Sequence, residues 1–579
     1  MTTTLERPEP TLPDDDVLER APRKPFSVER LAASLTFMAL LVLSAIALRN
    51  VGISVPDMIA SWDNAENFFG RVGGLSFPEA GELLGLIGLT LGLVLTGTLL
   101  AAVISVPLAF LAASNTTPGR GWRMTARFLG VLARALPDVV LAMVFVLMLS
   151  LGALPGILAI GLHSVGMISK MFADAVEQID EGPRLAIRAA GGSRLQEFTS
   201  GVLPQVMPSW VATVLHRNDI NLRGSVVLGY VGVAGLGLEM SQAFRSLNYG
   251  LGLGIALVIF GLCVVMEIVS SVVRAAMLGP SGGGRRTWAD RFGPRIVAAR
   301  GRPARETSSS PAWSASPESA LRRPWNANRV RNVSAGWVSV IVVVAAVWVC
   351  DIAWGDFLTV WARIPDVAVQ FWPPTFGVYG ADVMFEALRE TIAIALAATL
   401  LALLPSLLLG SFAARNVAPT RSARSSARFL LVGVRGVPEI ILAIVLIVIT
   451  GLGMQAGTLA LAFGGIGLLG KLIADSLEEV DRGPERALVA AGASRTQVYV
   501  GATVPQGTRA LIGHSFYLLD TNIRAATILG VVGGGGVGYY LLNASQGSNY
   551  GQVTAIVLMI LVTVLVIEGL AMWMRRVFR

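Results

Sequence analysis

Cysteine occurs only twice in this 579-residue chain, at Cys263 and Cys350. Both lie in or beside apolar runs, far apart, with no CxxC spacing and no histidine neighbour. Neither a disulfide framework nor a metal site is expected from them. Charge is scarce as well, at 15% of residues against 54% hydrophobic residues and a mean hydropathy of +0.65. That balance excludes an ordinary soluble globule. Lysine is confined to Lys24, Lys170 and Lys471 among 46 basic residues, a bias that suggests a GC-rich bacterial genome. The N-terminus lacks the apolar core and cleavage site of a signal peptide. Glu6, Glu9, Asp14, Asp15, Asp16 and Glu19 stand there among prolines and threonines, and residues 1–27 read as a disordered cytoplasmic tail.

What the chain has in quantity is long apolar runs, at 31–48, 83–113, 249–278 and around 338–350. A spanning helix needs about 20 apolar residues. The runs are continuous, not alternating, so they predict helices and not a barrel. A net charge of +8 could suggest nucleic acid, but the basic residues cluster between the apolar runs. Such clusters mark cytoplasmic loops, and no nucleic-acid partner is expected.

Sliding the chain against itself by 301 residues reveals one unit written twice. "LARALPDVVLA" (132–142) meets "GVRGVPEIILA" (433–443), and Lys170, Asp174 and Glu177 meet Lys471, Asp475 and Glu478. "GPRLAIRAAGGSRLQEFTSGVLPQ" (182–205) meets "GPERALVAAGASRTQVYVGATVPQ" (483–506), and "NLRGSVVLGYVGVAGLG" (221–237) meets "NIRAATILGVVGGGGVG" (522–538). Membrane composition alone does not align charges, prolines and glycines over such a span. The expected modules are 28–278 and 332–579. Between them, 279–331 carries eleven arginines amid Gly, Pro and Ser and reads as a flexible basic cytoplasmic linker able to touch anionic lipid.

Placing the basic segments inside gives each copy six helices, with both termini cytoplasmic and the 51–80 and 351–381 loops outside. The fold class is an all-α polytopic membrane protein of about twelve transmembrane helices. The uncharged run 139–169 is too long for one span and too short for two. The flanking helices must therefore include Arg134 with Asp138, and Lys170 with Asp174. At i,i+4 spacing, each pair is predicted to share one helical face.

Two nucleotide motifs fail on context. Gly533, Gly535 and Gly538 spell GxGxxG, but no βαβ unit surrounds them and the first copy has Ala234 in the middle. "GIGLLGKL" (465–472) nearly spells a P-loop, but Leu472 stands where the magnesium-binding hydroxyl belongs. The chain is expected to be no enzyme, with no metal site and no bound cofactor.

Two stretches point to function. The segment between the fourth and fifth helices holds Gly182, Pro183, Ala190 and Gly191, with Pro204 thirteen residues beyond Gly191; the second copy repeats Gly483, Pro484, Ala491, Gly492 and Pro505. The fifth helix carries "HRNDINLRGS" (216–225) and "YLLDTNIRAA" (517–526). Ionisable groups at membrane depth are costly and face a cavity or one another. Asp219 with Arg223 and Asp520 with Arg524 are spaced as i,i+4 pairs. The same Arg223 and Arg524, with Asn221 and Asn522, are candidates to line the path of an oxyanion, which a guanidinium fork fits. The glycines that follow, Gly229, Gly232, Gly235 and Gly237, and Gly530, Gly533, Gly536 and Gly538, allow either close helix packing or the irregular backbone of an external gate.

Together these elements resemble the permease subunit of phosphonate-type ABC importers, over nearly all of both copies. The matching pieces are "ARALPD" and "VRGVPE", "SKMFADAVEQID" and "GKLIADSLEEVD", the G-x12-P coupling segments and N-[LI]-R-x4-LG-x2-G-x2-G-x-G. Leu185–Ala186–Ile187 and Arg486–Ala487–Leu488 depart from the family's "EAA" triplet. The resemblance implies a type I ABC-importer permease architecture, two six-helix repeats about a pseudo-two-fold axis in a bacterial plasma membrane. It implies two ABC ATPase subunits on the cytoplasmic side holding ATP and Mg, an external substrate-binding protein, and a phosphonate, phosphite or phosphate as cargo. The fused tandem supplies both protomers, so no second permease chain is required. A secondary transporter with parallel repeats and an ABC permease for another small solute, such as an amino acid, are the alternatives; a channel comes last.

Overall fold

The structure, a computed structural model, describes residues 27–53, 56, 59, 61–278 and 327–577. The expected acidic tail and nearly all of the basic linker lie outside the described residues.

The first repeat runs α1 (Val28–Val51), α2 (Trp62–Val72), α3 (Ala80–Ala112), α4 (Arg120–Ala135), α5 (Asp138–Leu149), α6 (Ala153–Glu177), α7 (Glu181–Ala189), α8 (Leu203–Tyr230), α9 (Leu236–Arg245) and α10 (Tyr249–Leu278). The second runs α11 (Ala327–Val349), α12 (Trp354–Phe371), α13 (Gly380–Ala413), α14 (Arg421–Gly436), α15 (Glu439–Thr450), α16 (Met454–Glu478), α17 (Arg482–Ala490), α18 (Val504–Val531), α19 (Val537–Gln546) and α20 (Tyr550–Val577). From α13 onward each helix starts 301 residues after its equivalent, to within one residue. Among the described residues no strand is formed, only an isolated bridge between Gly152 and Val233.

Seven helices are long and apolar enough to cross a membrane: α1, α3, α6, α10, α13, α16 and α20. The bent pairs α4–α5 and α14–α15 add two broken spans. α8 and α18 carry more charge, yet at 28 residues each they are long enough, and α8 buries Arg217, Asn218, Asp219 and Asn221 among its neighbours. With α11 this makes about twelve spans among the described residues, six per repeat.

Arg134 and Asp138 do not share one helical face. The chain breaks at Leu136–Pro137, where Leu136 is extended (φ −80, ψ 123), and α4 turns by 83° into α5. Proline lacks the N–H that would continue the helix and disfavours helical backbone in the residue before it. Val437–Pro438 makes the same break in the second copy, at 76°. Lys170 and Asp174, by contrast, lie in the unbroken α6.

The two repeats exchange their first helices. Ala33 and Phe37 of α1 pack with Phe516, Ala571 and Met574 of the second repeat, and Ala47 and Val51 pack with Ala397. Gln455 Nε2 donates to the Gly52 carbonyl at the end of α1 (2.7 Å). Reciprocally, α11 lies so close to α3 that a Cβ on Gly92 would stand 2.9 Å from the Ala346 carbonyl oxygen. The largest buried cluster accordingly draws Leu93, Val140 and Leu222 from the first repeat and Ile394, Ile440 and Ile523 from the second.

Candidate functional site

The short helices α7 and α17 form where the sequence placed the coupling segment. Asp180 and Asp481 cap them by accepting from Gly182 N and Gly483 N (2.9 Å each). Pro183 and Pro484 fall in the first turn, where a missing N–H costs nothing. Ala190 and Ala491 are the C-caps, and Gly191 and Gly492 follow in the left-handed region (φ 80 and 82), which a side chain disfavours. Ser193 and Ser494 then open the next turn with capping boxes, and Pro204 and Pro505 begin α8 and α18.

Neither α7 nor α17 buries a residue, and Leu185, Leu195, Val489 and Val500 are exposed apolar side chains around them. Their inner faces are nonetheless anchored. Asn115 Nδ2 donates to the Val176 carbonyl (2.7 Å) and to Glu181 (2.9 Å). Arg184 pairs with Glu181 and with Glu197, the latter at 2.9 Å. Gln205 closes a clasp, accepting from Asp180 N (3.1 Å) and donating to the Asp180 carbonyl (3.0 Å). The base of α8 is thus tied to the start of the exposed helix. Gln506 makes the equivalent bond to the Asp481 carbonyl (3.2 Å).

About 30 Å further along α8, at 1.5 Å per residue, lies a charged cluster shared by the repeats. Arg223 bonds Asp219 (2.6 Å) and stands 3.6 Å from Glu267 of α10. Arg524 bonds Asp520 (2.5 Å). The i,i+4 pairing read from the sequence is present in both copies. The remaining contacts cross between copies: Arg134 pairs with Glu568 of α20, Arg435 approaches Asp219 (3.9 Å), and Arg524 Nη1 donates to the Arg134 carbonyl (3.2 Å). These side chains are largely withdrawn from solvent, Asp219 to 1% exposure. Asp138 and Glu439 head α5 and α15 beside them. The arginines therefore meet any anion already partnered by carboxylates.

Asn221 and Asn522 make their bonds within their own repeats, and Asn221 Nδ2 also donates to Ser164 Oγ (3.1 Å), the hydroxyl that accepts from Arg217 Nε. Asn221 Nδ2 donates to Thr98 Oγ1 (2.9 Å) and Asn522 Nδ2 to Thr399 Oγ1 (2.9 Å). Both amides are buried and tie the fifth span to the second within one repeat.

At the far end of α8 the glycines serve two uses. A Cβ on Gly229 or Gly530 would collide with the backbone at Gly237 or Gly538, so these four permit a close crossing of α8 with α9 and of α18 with α19. Gly232, Gly235, Gly533 and Gly536 take positive φ in the break between those helices. The break is held by bonds from Leu236 N to Thr90 Oγ1 and from Val537 N to Thr391 Oγ1 (2.9 Å each). Beside it a recess of about 250 Å³ is lined by Tyr230, Gln242 and Arg245 from one repeat and Ser545 and Gln546 from the other.

Reasoning from sequence missed Glu267, Glu568, His163 and Arg217 as members of this region. The signal was present for the first two, since each is an isolated acid in an apolar run and they lie 301 residues apart.

About twelve spans in two interlocked repeats, with short exposed helices α7 and α17 and a buried ionic cluster between the repeats, fit a transport subunit of the membrane. The chain belongs to the family described as the binding-protein-dependent transport system inner membrane component, which it matches twice, over residues 105–278 and 406–579. It is 41% identical over 488 residues to the phosphate-import permease protein PhnE of Mycolicibacterium smegmatis, covering 84% of each chain. It is 40% identical over 185 residues to the phosphite transport system permease protein PtxC of Stutzerimonas stutzeri, covering 32% of this chain and 67% of that protein. A solved chain of the MetNI methionine ABC transporter is 21% identical, matches 34% of this chain and 96% of its own length, and superposes with a TM-score of 0.31.

Proposed function

We propose that the chain forms the whole membrane path of an ATP-driven importer for a small phosphorus oxyanion, its two permease modules being residues 28–278 and 332–579. The observation that carries this reading is the cluster in which Arg223 and Arg524 meet carboxylates at the boundary of the repeats. An oxyanion offers the guanidinium forks what those carboxylates offer, and exchange of one for the other keeps each arginine partnered throughout passage. A site that replaces carboxylate by phosphorus oxyanion fits the cargoes named for the relatives.

Two separate ATPase subunits engage the cytoplasmic surface at α7 and α17, where exposed Leu185 and Val489 provide apolar footing. They hold the ATP and Mg. Closure of the ATPase pair pushes on these helices. The Gln205 and Gln506 clasps pass the displacement into α8 and α18, and the arginine pairs and glycine breaks move with them. An external binding protein delivers the anion to the opposite end, beside Arg245. Both termini lie in the cytoplasm, and no second permease chain is needed.

The test is reconstitution of the chain with its ATPase and binding protein in proteoliposomes. Phosphate, phosphite or a phosphonate should stimulate ATP hydrolysis and accumulate inside; if none does, the reading fails. Replacing Arg223 and Arg524 together by glutamine should lower uptake at least about tenfold while the ATPase still co-purifies. Unchanged uptake in that double variant would remove the arginines from the path.

A further inference from the structure

The charged cluster is symmetric in its outline and unsymmetric at one corner. In the first repeat, α8 carries Arg217, buried to 8% exposure, whose Nε donates to Ser164 Oγ (3.0 Å). Among the described residues no carboxylate lies within ion-pair distance of it, although burying an arginine without one is expensive. The groups acting on it electrostatically are Asp138 of its own repeat and Tyr517 and Arg524 of the other. His163 shares this corner, under the influence of Asp138, Arg217 and Arg524. Its Nδ1 meets the Leu136 carbonyl at 2.9 Å. A carbonyl only accepts, so Nδ1 carries the proton and Nε2 remains as the second ring nitrogen for another partner. Asp138 is itself engaged, its Oδ1 accepting from Val139 N (2.9 Å).

The equivalent corner of the second repeat is built differently. Leu518 replaces Arg217, Gly464 replaces His163 and Glu439 replaces Asp138. The longer Glu439 carboxylate fills the space beside Gly464, where a Cβ would overlap it, and Arg223 acts on that carboxylate. One corner thus contains its own acid packed on Gly464, with an arginine acting on it at longer range. The other has an extra guanidinium and an acid one methylene shorter.

We propose that the translocated anion has a single off-axis seat at the first of these corners, held between Arg217 of the first repeat and Arg524 of the second, with His163 alongside. The inference rests on the importer reading above and adds where and on which half the anion is held. The seat suits a compact tetrahedral oxyanion carrying two negative charges, since a guanidinium from each repeat acts on this corner, where Arg524 Nη1 reaches the Arg134 carbonyl and His163 Nδ1 meets the Leu136 carbonyl two residues on. In the mirror corner the Glu439 carboxylate takes the place of such an anion.

The test uses the full complex in proteoliposomes, comparing initial uptake of radiolabelled inorganic phosphate, as dianion at high pH and monoanion at low pH, for the native chain, Arg217→Leu, Arg217→Lys and Leu518→Gln. Leucine is the residue the second repeat carries at this position, where it packs fully buried, so Arg217→Leu should fold; co-purification with the ATPase checks this. Arg217→Leu should lower dianion uptake about tenfold or more, and lower it more than monoanion uptake. Arg217→Lys should recover part of the loss, because charge returns without the fork. Leu518→Gln should keep the native ratio of dianion to monoanion uptake. An assembled Arg217→Leu complex with native uptake, or one that loses both forms equally, overturns the seat. If Arg524→Gln still impairs uptake in that case, the importer reading stands without it. A native complex that moves no phosphorus oxyanion overturns both.

Discussion

The two repeats solve the same packing problem at α5 and α15 with different residues. In the first, the short Asp138 leaves room for His163; in the second, the long Glu439 needs Gly464. The short helices α7 and α17 show a similar exchange. Asn115 donates to Glu181, whereas Asn416 donates to Glu485, the residue equivalent to Arg184 (2.9 Å in both). Glu181 and Arg184 thus correspond to Arg482 and Glu485, with the signs reversed. The acid has moved by three residues, to the next turn of the same helical face, and still meets the asparagine. The halves of a fused chain are free to drift apart in identity as long as each position's partners change with it.

The sharpest way to break the equivalence of the halves is at their glycines. Gly229→Val should prevent the α8–α9 crossing and yield no monodisperse protein on gel filtration, because the obstacle is backbone and cannot yield. Gly261→Val should be tolerated, since nothing lies within 4 Å of a Cβ there and the second repeat carries Val562 at that position. A folded Gly229→Val protein would contradict the crossing.

Glu568 and Glu267 are equivalent positions with unequal surroundings, at 13% and 33% side-chain exposure. Glu568→Ala removes one partner of a buried ion pair with Arg134 and should cost about 3–5 kcal/mol. Glu267→Ala should cost under about 1 kcal/mol, as for a partly solvated pair. Thermal unfolding in detergent would rank them, and equal losses would argue against the difference in packing.

Gly464→Ala should cost about 1–3 kcal/mol by overpacking against Glu439. Adding Glu439→Asp, the acid used by the first repeat, should restore much of that loss in the same assay. An additive double variant would show that the two positions are uncoupled. The smallest effect is expected at the clasps, where Gln205→Ala removes two bonds to the Asp180 backbone and one to Gly201, and Gln506→Ala removes one to Asp481 and one to Ala502. Stability should change by about 1 kcal/mol or less. The ratio of stimulated to basal ATP hydrolysis should fall more for Gln205→Ala, and an unchanged ratio in both would take the clasps out of the coupling path.

Much of this architecture is legible in the chain. The 301-residue offset aligns helix starts because both copies keep their prolines, glycines and charges in register, and those residues set helix ends. Gly191 and Gly492 announce a left-handed turn for the same reason. The i,i+4 partners of Arg223 and Arg524 follow from helix periodicity alone. Arg134 and Asp138 fall on different helices because Pro137 interrupts the i,i+4 count, its effect on the preceding residue outweighing periodicity. Asn221 and Asn522 lie two residues before the arginines and on another face of the helix, where each bonds a threonine of the second span, and Asn221 also bonds the serine that meets Arg217.

By itself the sequence determined that this is a twice-written helical membrane protein whose two copies keep their prolines and glycines in register, because apolar length, proline and glycine act locally. Tertiary structure alone decided that α1 and α11 cross to the opposite repeats and that Arg134 and Arg435 reach acids more than a hundred residues away. It also decided that no carboxylate among the described residues comes within ion-pair distance of Arg217. Those outcomes depend on which helix faces meet, and a charge buried between helices takes its partner from whichever neighbour the packing brings near.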